Sequence, residues 1–437
     1  MDKTAKDRDW LDEAFARIAI DDEGRACKDI PASACHEESS NFFLHAASLS
    51  LTKSGDGLID PKLVLSWLLT AHGAPAVTVG LLVPIRESLA LLPQLFTAGM
   101  LRRLPKRKWA WAIASGVEGL AVLAMAMAAF FLRGPLLGWS IVGLLAVFAL
   151  ARSVASVTYK DVLGKTVDRS RRGRATGFAS SAAAISVIVF AVLLFSGLVD
   201  RMTLVLAGLI VAGIAWILAG LLFTRLTEAP GATEGGATAI KETIRQFSLL
   251  REDPQLSLFI TVRGLLTVTA LAPPFMVAAG SVGEQPYNSL GLLVLASASA
   301  SFVSGFVWGH LSDQSSRRVL FLSAAAGGLI LTATSAAAFL GLLSTMAVLP
   351  LLLFILMISY EGVRVGRSTH LVDMASEETR AAYTALSNTL IGVVLVLGGA
   401  FGGLMSVTGP ATVLAVMAGL ALAAVPLAMR LEDVQQR

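Results

Sequence analysis

Four basic residues stand inside apolar runs of this 437-residue chain: Lys53, Arg152, Arg263 and Arg364. They obey a repeat, with Lys53 210 positions before Arg263 and Arg152 212 positions before Arg364. A charge at membrane depth costs at least about 2.5–3.5 kcal/mol, so each must face a partner or a water-filled cavity. Two cations from each half of a chain at similar depth would form a positive chamber, and arginine forks grip carboxylate or phosphate. The ligand this implies is a small organic anion or zwitterion.

The carboxylates that could carry a proton are fewer. In LTKSGDGLIDPK, Lys53, Asp56 and Asp60 share a helix face at i, i+3 and i+7. Gly55, Gly57 and Pro61 are expected to let this segment bend or unwind beside a cavity, with Lys53 pairing to Asp56. Asp56 and Asp60 are the first proton-coupling candidates, followed by Glu118 and Glu87. A competing reading makes these charges structural. Lys53 with Asp56 and Glu361 with Arg364 are three apart on one face, and Glu118 or Glu87 offers a partner to Arg152 and Arg263. Asp60 and Lys62 would then be solvated at the outer mouth. Arg86 and Glu87 are adjacent, about 100° apart on a helix, so different partners and a structural role are expected. Asn388 reads as packing glue between helices.

The elements that position these residues are membrane helices. Hydrophobic residues make up 55% of the chain and charged residues 15%, against about 25% charged in soluble domains, and the mean hydropathy is +0.71. Spans of about 20 apolar residues are expected at Asn41–Thr70, Ala76–Leu101, Lys108–Leu132, Leu136–Lys160, Arg174–Val199, Met202–Thr224, Gln255–Ala279, Tyr287–Leu311, Arg317–Leu343, Ala347–His370, Ala381–Val407 and Pro410–Arg430. The first is the least regular, because it carries Lys53, Asp56, Asp60 and Lys62. The fold class is therefore all-α and polytopic. Its predicted domains are a segment 1–40 with an amphipathic helix near Asp7–Ile20, a six-helix bundle 41–224, a central loop 225–254, a second bundle 255–430 and a tail 431–437.

Basic residues cluster after spans 2, 4 and 6, whereas the alternate loops hold Arg133 and Arg201. The positive-inside rule then places both termini and the central loop in the cytoplasm, in a bacterial inner membrane. The net charge of +4 is a matter of topology and not of nucleic-acid binding. Cys27 and Cys35 are the only cysteines, so no disulfide framework is expected to hold the fold, and with His36 they lack zinc spacing. No P-loop or catalytic triad is legible, so neither an enzyme, a metal nor a cofactor is expected. The functional unit is expected to be a monomer.

Shifting one half onto the other exposes the repeat. GHLSDQSSRR, Gly309 to Arg318, follows span 8; moving back 210 positions sets Gly309 on Gly99, Leu311 on Leu101 and Arg317 on Arg107. Arg174-Ala175 and Arg380-Ala381 open spans 5 and 11 alike. Parallel six-helix repeats are a transporter architecture. The chain here resembles the major facilitator superfamily, whose signature loop G-x-L-x-D-x-x-x-R-R is matched by Gly309, Leu311, Asp313, Arg317 and Arg318. The first-half copy departs from it, with Arg103 at the aspartate position and Pro105 inside the loop, which implies a different latch there. The resemblance covers roughly Asn41 to Arg430. It implies a central cavity lined by spans 1, 4, 7 and 10, which carry the four cations, and a charged-loop gate at Asp313 and the two arginines. It also implies alternating-access transport. Two other functions fit the same pattern: proton-driven efflux of amphiphilic compounds, and a non-transporting sensor or scaffold.

Overall fold

The computed structural model describes residues 15, 35, 37–94, 101, 103–230, 246–280, 290–345, 347–375 and 379–436, without the side chains of 169, 170, 246, 306, 313, 344, 380, 381 and 436. All longer elements among them are helices. They are α1 (Glu38–Leu58), α2 (Val64–Ala71), α3 (Ala76–Leu91), α4 (Lys108–Phe131), α5 (Gly134–Thr166), α6 (Arg169–Ser196) and α7 (Arg201–Phe223) in the first half. The second half holds α8 (Pro254–Leu266), α9 (Val268–Gly280), α10 (Leu290–Gln314), α11 (Ser316–Phe339), α12 (Val348–Met374), α13 (Arg380–Gly398), α14 (Ala400–Thr408) and α15 (Pro410–Ala428). Nine described helical stretches are long and apolar enough to cross a membrane. The remaining three of the twelve spans are α1 with α2, α3, and α10, whose charges or short apolar runs keep them below that mark.

Each half packs by the same plan. Span 3 (α4) lies against span 4 (α5) and span 6 (α7), and its counterpart span 9 (α11) lies against span 10 (α12) and span 12 (α15). Span 1 packs on spans 5 and 6, and span 7 packs on spans 11 and 12. The outer faces of α4, α6 and α7 keep large apolar side chains exposed, Ile113, Phe131, Ile185 and Leu221 among them, as a lipid-facing surface requires.

The first span of each half is interrupted at matching places. α1 gives way to α2 across Ile59–Leu63, and α8 gives way to α9 at Thr267. Pro61 lacks an N–H and starts a new turn there. The backbone carbonyl of Asp60 accepts from the N–H groups of Leu63, Val64 and Leu65, and its carboxylate from that of Lys62 at 2.9 Å.

Gly55 and Gly57 do not loosen the helix, contrary to the expectation from sequence. α1 is continuous through both. A Cβ on Gly55 would lie 2.7 Å from the ring of Trp216, and one on Gly57 would strike Val187. Their missing side chains let α1 press against α7 and α6, a packing role that the sequence pattern of Gly and Pro together does not distinguish from a hinge.

The segments outside the bundles are docked on them. Glu228, just past α7, accepts from the backbone N–H groups of Arg107 and Lys108 at 3.0 and 2.8 Å. Asn41 exchanges two hydrogen bonds with the backbone of Thr227. Phe15 is buried against Phe42, with ring centroids 5.4 Å apart. Cys35, one of the two cysteines of the chain, is in a disulfide bond. Most of the expected N-terminal amphipathic helix, and residues 231–245 of the central loop, lie outside the described residues.

Gly57→Val should lower the thermal stability of the detergent-purified protein by about 1–3 kcal/mol through overpacking against Val187. Gly116→Ala, where an added Cβ meets nothing within 4 Å, should leave the unfolding midpoint unchanged.

Candidate functional site

Asp56 is the centre of the first half's charge network. Arg86 donates to its Oδ1 at 2.7 Å, and Arg152 forms an ion pair with its Oδ2. Arg86 comes from α3 and Arg152 from α5, so this carboxylate ties spans 1, 2 and 4. Arg86 also reaches Glu87 Oε1 at 3.1 Å, so these neighbours pair with each other as well. The expected Lys53–Asp56 bond is not formed. Lys53 Nζ donates to Ser180 Oγ at 2.6 Å and to the Thr176 carbonyl at 3.4 Å, both on α6. It still lies within range of the charges on Asp56, Arg152 and, from the opposite half, Arg364.

Glu118 on α4 is fully buried, and neither of its oxygens has a hydrogen-bond partner. Its nearest cation is Arg152, whose Nη1 is 3.7 Å away. Asp60 and Lys62 are not at a solvated mouth. Lys62 Nζ stands 3.7 Å from the centroid of the Tyr360 ring on α12, a cation–π contact between the two halves.

The second half is arranged differently. Arg263 is 7% exposed; its Nη1 donates to Ser387 Oγ at 2.6 Å and its Nη2 to Asn388 Oδ1 at 2.9 Å. The Nε is buried without a hydrogen bond. Among the described residues it has no carboxylate partner, so neither Glu118 nor Glu87 neutralises it. Asn388, expected to hydrogen-bond between helices, does so by holding this guanidinium together with Ser387, and it also lines the cavity between the halves. Arg364 pairs with Glu361 at 3.1 Å across one turn of α12, as the i, i+3 spacing allows, and is still 55% exposed.

Arg263, Arg364, Asn388 and Glu87 border a cavity of about 270 Å³ between the halves, whereas Lys53, Asp56, Glu118 and Arg152 are not among the residues that line it. Glu87 and Leu91 of α3 line one side; Arg263, Thr267, Tyr360, Arg364, Arg367 and Asn388 line the other. Sequence reasoning missed Arg367, which lies one turn beyond Arg364 on α12; Tyr360 lies one turn before it. The i, i+3 and i, i+4 spacing of Tyr360, Arg364 and Arg367 was the available signal.

The halves meet most closely on the side opposite the charged loops. There Gly80 on α3 packs against Gly402 on α14, and Gly291 on α10 against Ala191 and Phe195 of α6. α9 packs on α2 and α3 on this same side. Among the described residues, α1, α5, α8 and α12 have no comparable packing across the halves toward the charged-loop side. The structure is therefore closed at one end of the cavity, with the charged-loop end the more open.

The signature loops fasten each half at that end. In the second half Arg317 donates to the Leu431 carbonyl and pairs with Asp433 at 3.5 Å, while Ser315 caps α11 and donates to Asp433. Gln435 reaches Asp373 at 2.7 Å. The tail thus closes over the loop. Gly309 lies in α10 with open space around it, Arg318 supplies a backbone N–H to the cap, and the side chain of Asp313 lies outside the described residues. In the first half Arg107 pairs with Asp161, and Glu228 takes the place that Asp433 holds in the second.

No protein-family model matches the sequence, and no curated protein does either. Solved structures do match over nearly their whole length. A point mutant of the nucleoside transporter NupG aligns with 14% identity over 90% of this chain and 100% of its own, at a TM-score of 0.68. The fold is that of the major facilitator transporters. A POT family transporter in complex with a thioalcohol-conjugated peptide aligns at TM-score 0.65 and 8% identity, covering 89% of this chain and 95% of its own. The inward-open xylose transporter XylE from E. coli aligns at 0.60 and 10%, covering 90% and 96%. At such identities the likeness establishes the facilitator fold and leaves the ligand open.

Asp56→Asn should destabilise the protein by about 3–5 kcal/mol, because it strips two guanidiniums of their shared partner; thermal unfolding in detergent is the measurement. Glu228→Gln should cost less, about 1–2 kcal/mol, since it weakens the charge at the start of α4 and keeps an acceptor.

Proposed function

We propose that this protein is a secondary transporter that moves a small organic anion or zwitterion by alternating access, coupled to protons. The observation that carries the reading is the cavity lined from both halves, closed at one end, with the buried Arg263 guanidinium at its wall. Rocking the two halves about the α3–α13/α14 and α6–α10 contacts would move the opening from one face to the other. The positive-inside bias makes the charged-loop face cytoplasmic, so this state is inward-facing, with both termini in the cytoplasm. Nucleoside, peptide and xylose transporters among the matched structures, one of them a proton symporter, support solute transport over a scaffold role.

Lys53, Arg152, Arg263 and Arg364 are the proposed substrate-contacting cations. Two of them are already engaged, Arg152 by Asp56 and Arg364 by Glu361, so Arg263 is the strongest anchor. Among Asp56, Asp60 and Glu118, the geometry favours Glu118 as the proton carrier. Protonating Asp56 would break two ion pairs, and protonating Asp60 would weaken the turn that starts α2. Protonating Glu118 breaks no hydrogen bond and loosens one long ion pair, to Arg152 at 3.7 Å. Its neighbour Arg152 also binds Asp56, so the proton and the cation cluster share one guanidinium. A solute acting on that cluster would thereby bind with coupling to the proton. Amphiphile efflux fits less well, because among the described residues Tyr360 is the one aromatic side chain lining the cavity.

In proteoliposomes, accumulation of a stabilising anion driven by a pH gradient should be lost in Glu118→Gln, while exchange of the same anion across the membrane persists. Retention of gradient-driven accumulation in that variant would move the coupling residue elsewhere; the absence of any flux in the parent protein would favour the sensor or scaffold.

A further inference from the structure

The charges carried inside the spans do not balance between the halves, and the excess lies in the half that supplies most of the cavity wall. In the first half four cations, Lys53, Lys62, Arg86 and Arg152, are matched by four carboxylates, Asp56, Asp60, Glu87 and Glu118. These groups bond or lie near one another on spans 1 to 4. In the second half Arg263, Arg364 and Arg367 have a single carboxylate within the spans, Glu361, and Arg364 takes it. That leaves Arg263 and Arg367. Both line the cavity, and they are close enough for the charge of Arg367 to act on Arg263. Among the described residues Arg263 bonds only to the neutral Ser387 and Asn388, and no ion pair engages Arg367.

Two guanidiniums held near each other at membrane depth repel, and each is costly without a counter-charge. Nothing among the described residues offsets them. A ligand can. We propose that the substrate is an organic dianion, a small molecule with two negative charges on one phosphate-type group or on two carboxylates, bound between Arg263 and Arg367. This deepens the transport reading and rests on it.

The chemistry of the wall agrees. Ser387 and Asn388 fix the plane of the Arg263 fork before the ligand arrives, so little is lost in ordering it. Thr267 and Asn388 supply neutral hydrogen-bonding groups beside the charges. At about 270 Å³ the cavity sits near the lower edge of ligand sites, which run from about 300 Å³ upward, so the dianion is small. A zwitterion fits less well, because Glu87, the acid at the cavity wall, is already bonded to Arg86.

The test is a thermal-shift titration of the purified full-length protein with four probes: succinate, glycerol 3-phosphate, lactate and glycine. Arg367→Gln serves as the paired variant, which removes no ion pair seen in this structure and cancels general salt effects. The expected result is stabilisation of the parent protein by at least one of the two dianions at concentrations where lactate and glycine do nothing. In Arg367→Gln that dianion should bind about tenfold or more weakly, the scale of one charge-assisted hydrogen bond. Preference between succinate and glycerol 3-phosphate tells two carboxylates from one phosphate group. Equal stabilisation by lactate and a dianion, or a dianion response that Arg367→Gln leaves unchanged, overturns the dianion assignment and keeps anion transport. A response to glycine alone, or to none of the four, overturns it together with the anion reading of the site.

Discussion

Every charge that this chain carries to the depth of the bilayer must meet an opposite charge, a hydrogen-bonding neighbour or water. The first half satisfies that constraint internally. Asp56 takes a guanidinium on each oxygen, and in doing so it fastens span 1 to spans 2 and 4. Because α1 is pressed against α7 and α6 through Gly55 and Gly57, the carboxylate is held by packing on one side and by charge on the other. The bundle and its charge network thus depend on each other. The second half holds Arg263 by neutral hydrogen bonds alone and gives neither Arg263 nor Arg367 a carboxylate among the described residues, and both line the cavity.

The same economy appears where the chain leaves the membrane. Each half ends in a short segment that folds back over its signature loop: Leu226 to Glu228 in the first, Leu431 to Gln435 in the second. A carboxylate at the start of span 3 or span 9 satisfies backbone N–H groups or a hydroxyl cap and draws in the neighbouring arginine or lysine. Both fastenings lie within a half. They stiffen each bundle as a unit and leave the two free to move against each other, which alternating access demands. Contact between the halves is left to small residues such as Gly80 and Gly402, and to Lys62 against Tyr360. The cation–π pair is modest in strength and reversible, suited to a closure that must open.

The interruptions of spans 1 and 7 bring backbone and charge together. A broken helix exposes polar groups that lipid cannot satisfy, so such breaks belong beside cavities or inside protein. At Asp60 the freed groups are consumed by the turn itself. At Thr267 the hydroxyl returns to the Gly264 carbonyl, and the side chain still lines the cavity.

Much of this was legible in the chain alone. Composition dictated lipid as the solvent, apolar run length gave the spans, and the 210-residue shift revealed two equivalent halves. The reason is that these are one-dimensional constraints: a run of apolar residues must cross the bilayer wherever its neighbours are, and a duplicated segment keeps its spacing. The four cations were also found this way, because an intramembrane charge is conspicuous against its surroundings. What the sequence left undecided was which charge meets which. Spacing on one helix suggested Lys53 for Asp56, and the fold gave Asp56 to Arg86 and Arg152 instead, because pairing between helices depends on how two surfaces meet. The glycines of span 1 read as a hinge and proved to be contact points, since the absence of a side chain has opposite meanings beside a void and beside Trp216. Glu118 stood behind Asp56 and Asp60 among the proton-coupling candidates; burial without a hydrogen bond is what sets it apart from them. Arg263 and Arg367 became a pair through tertiary structure, which alone decides whether a charge finds its partner within the protein or waits for one from outside.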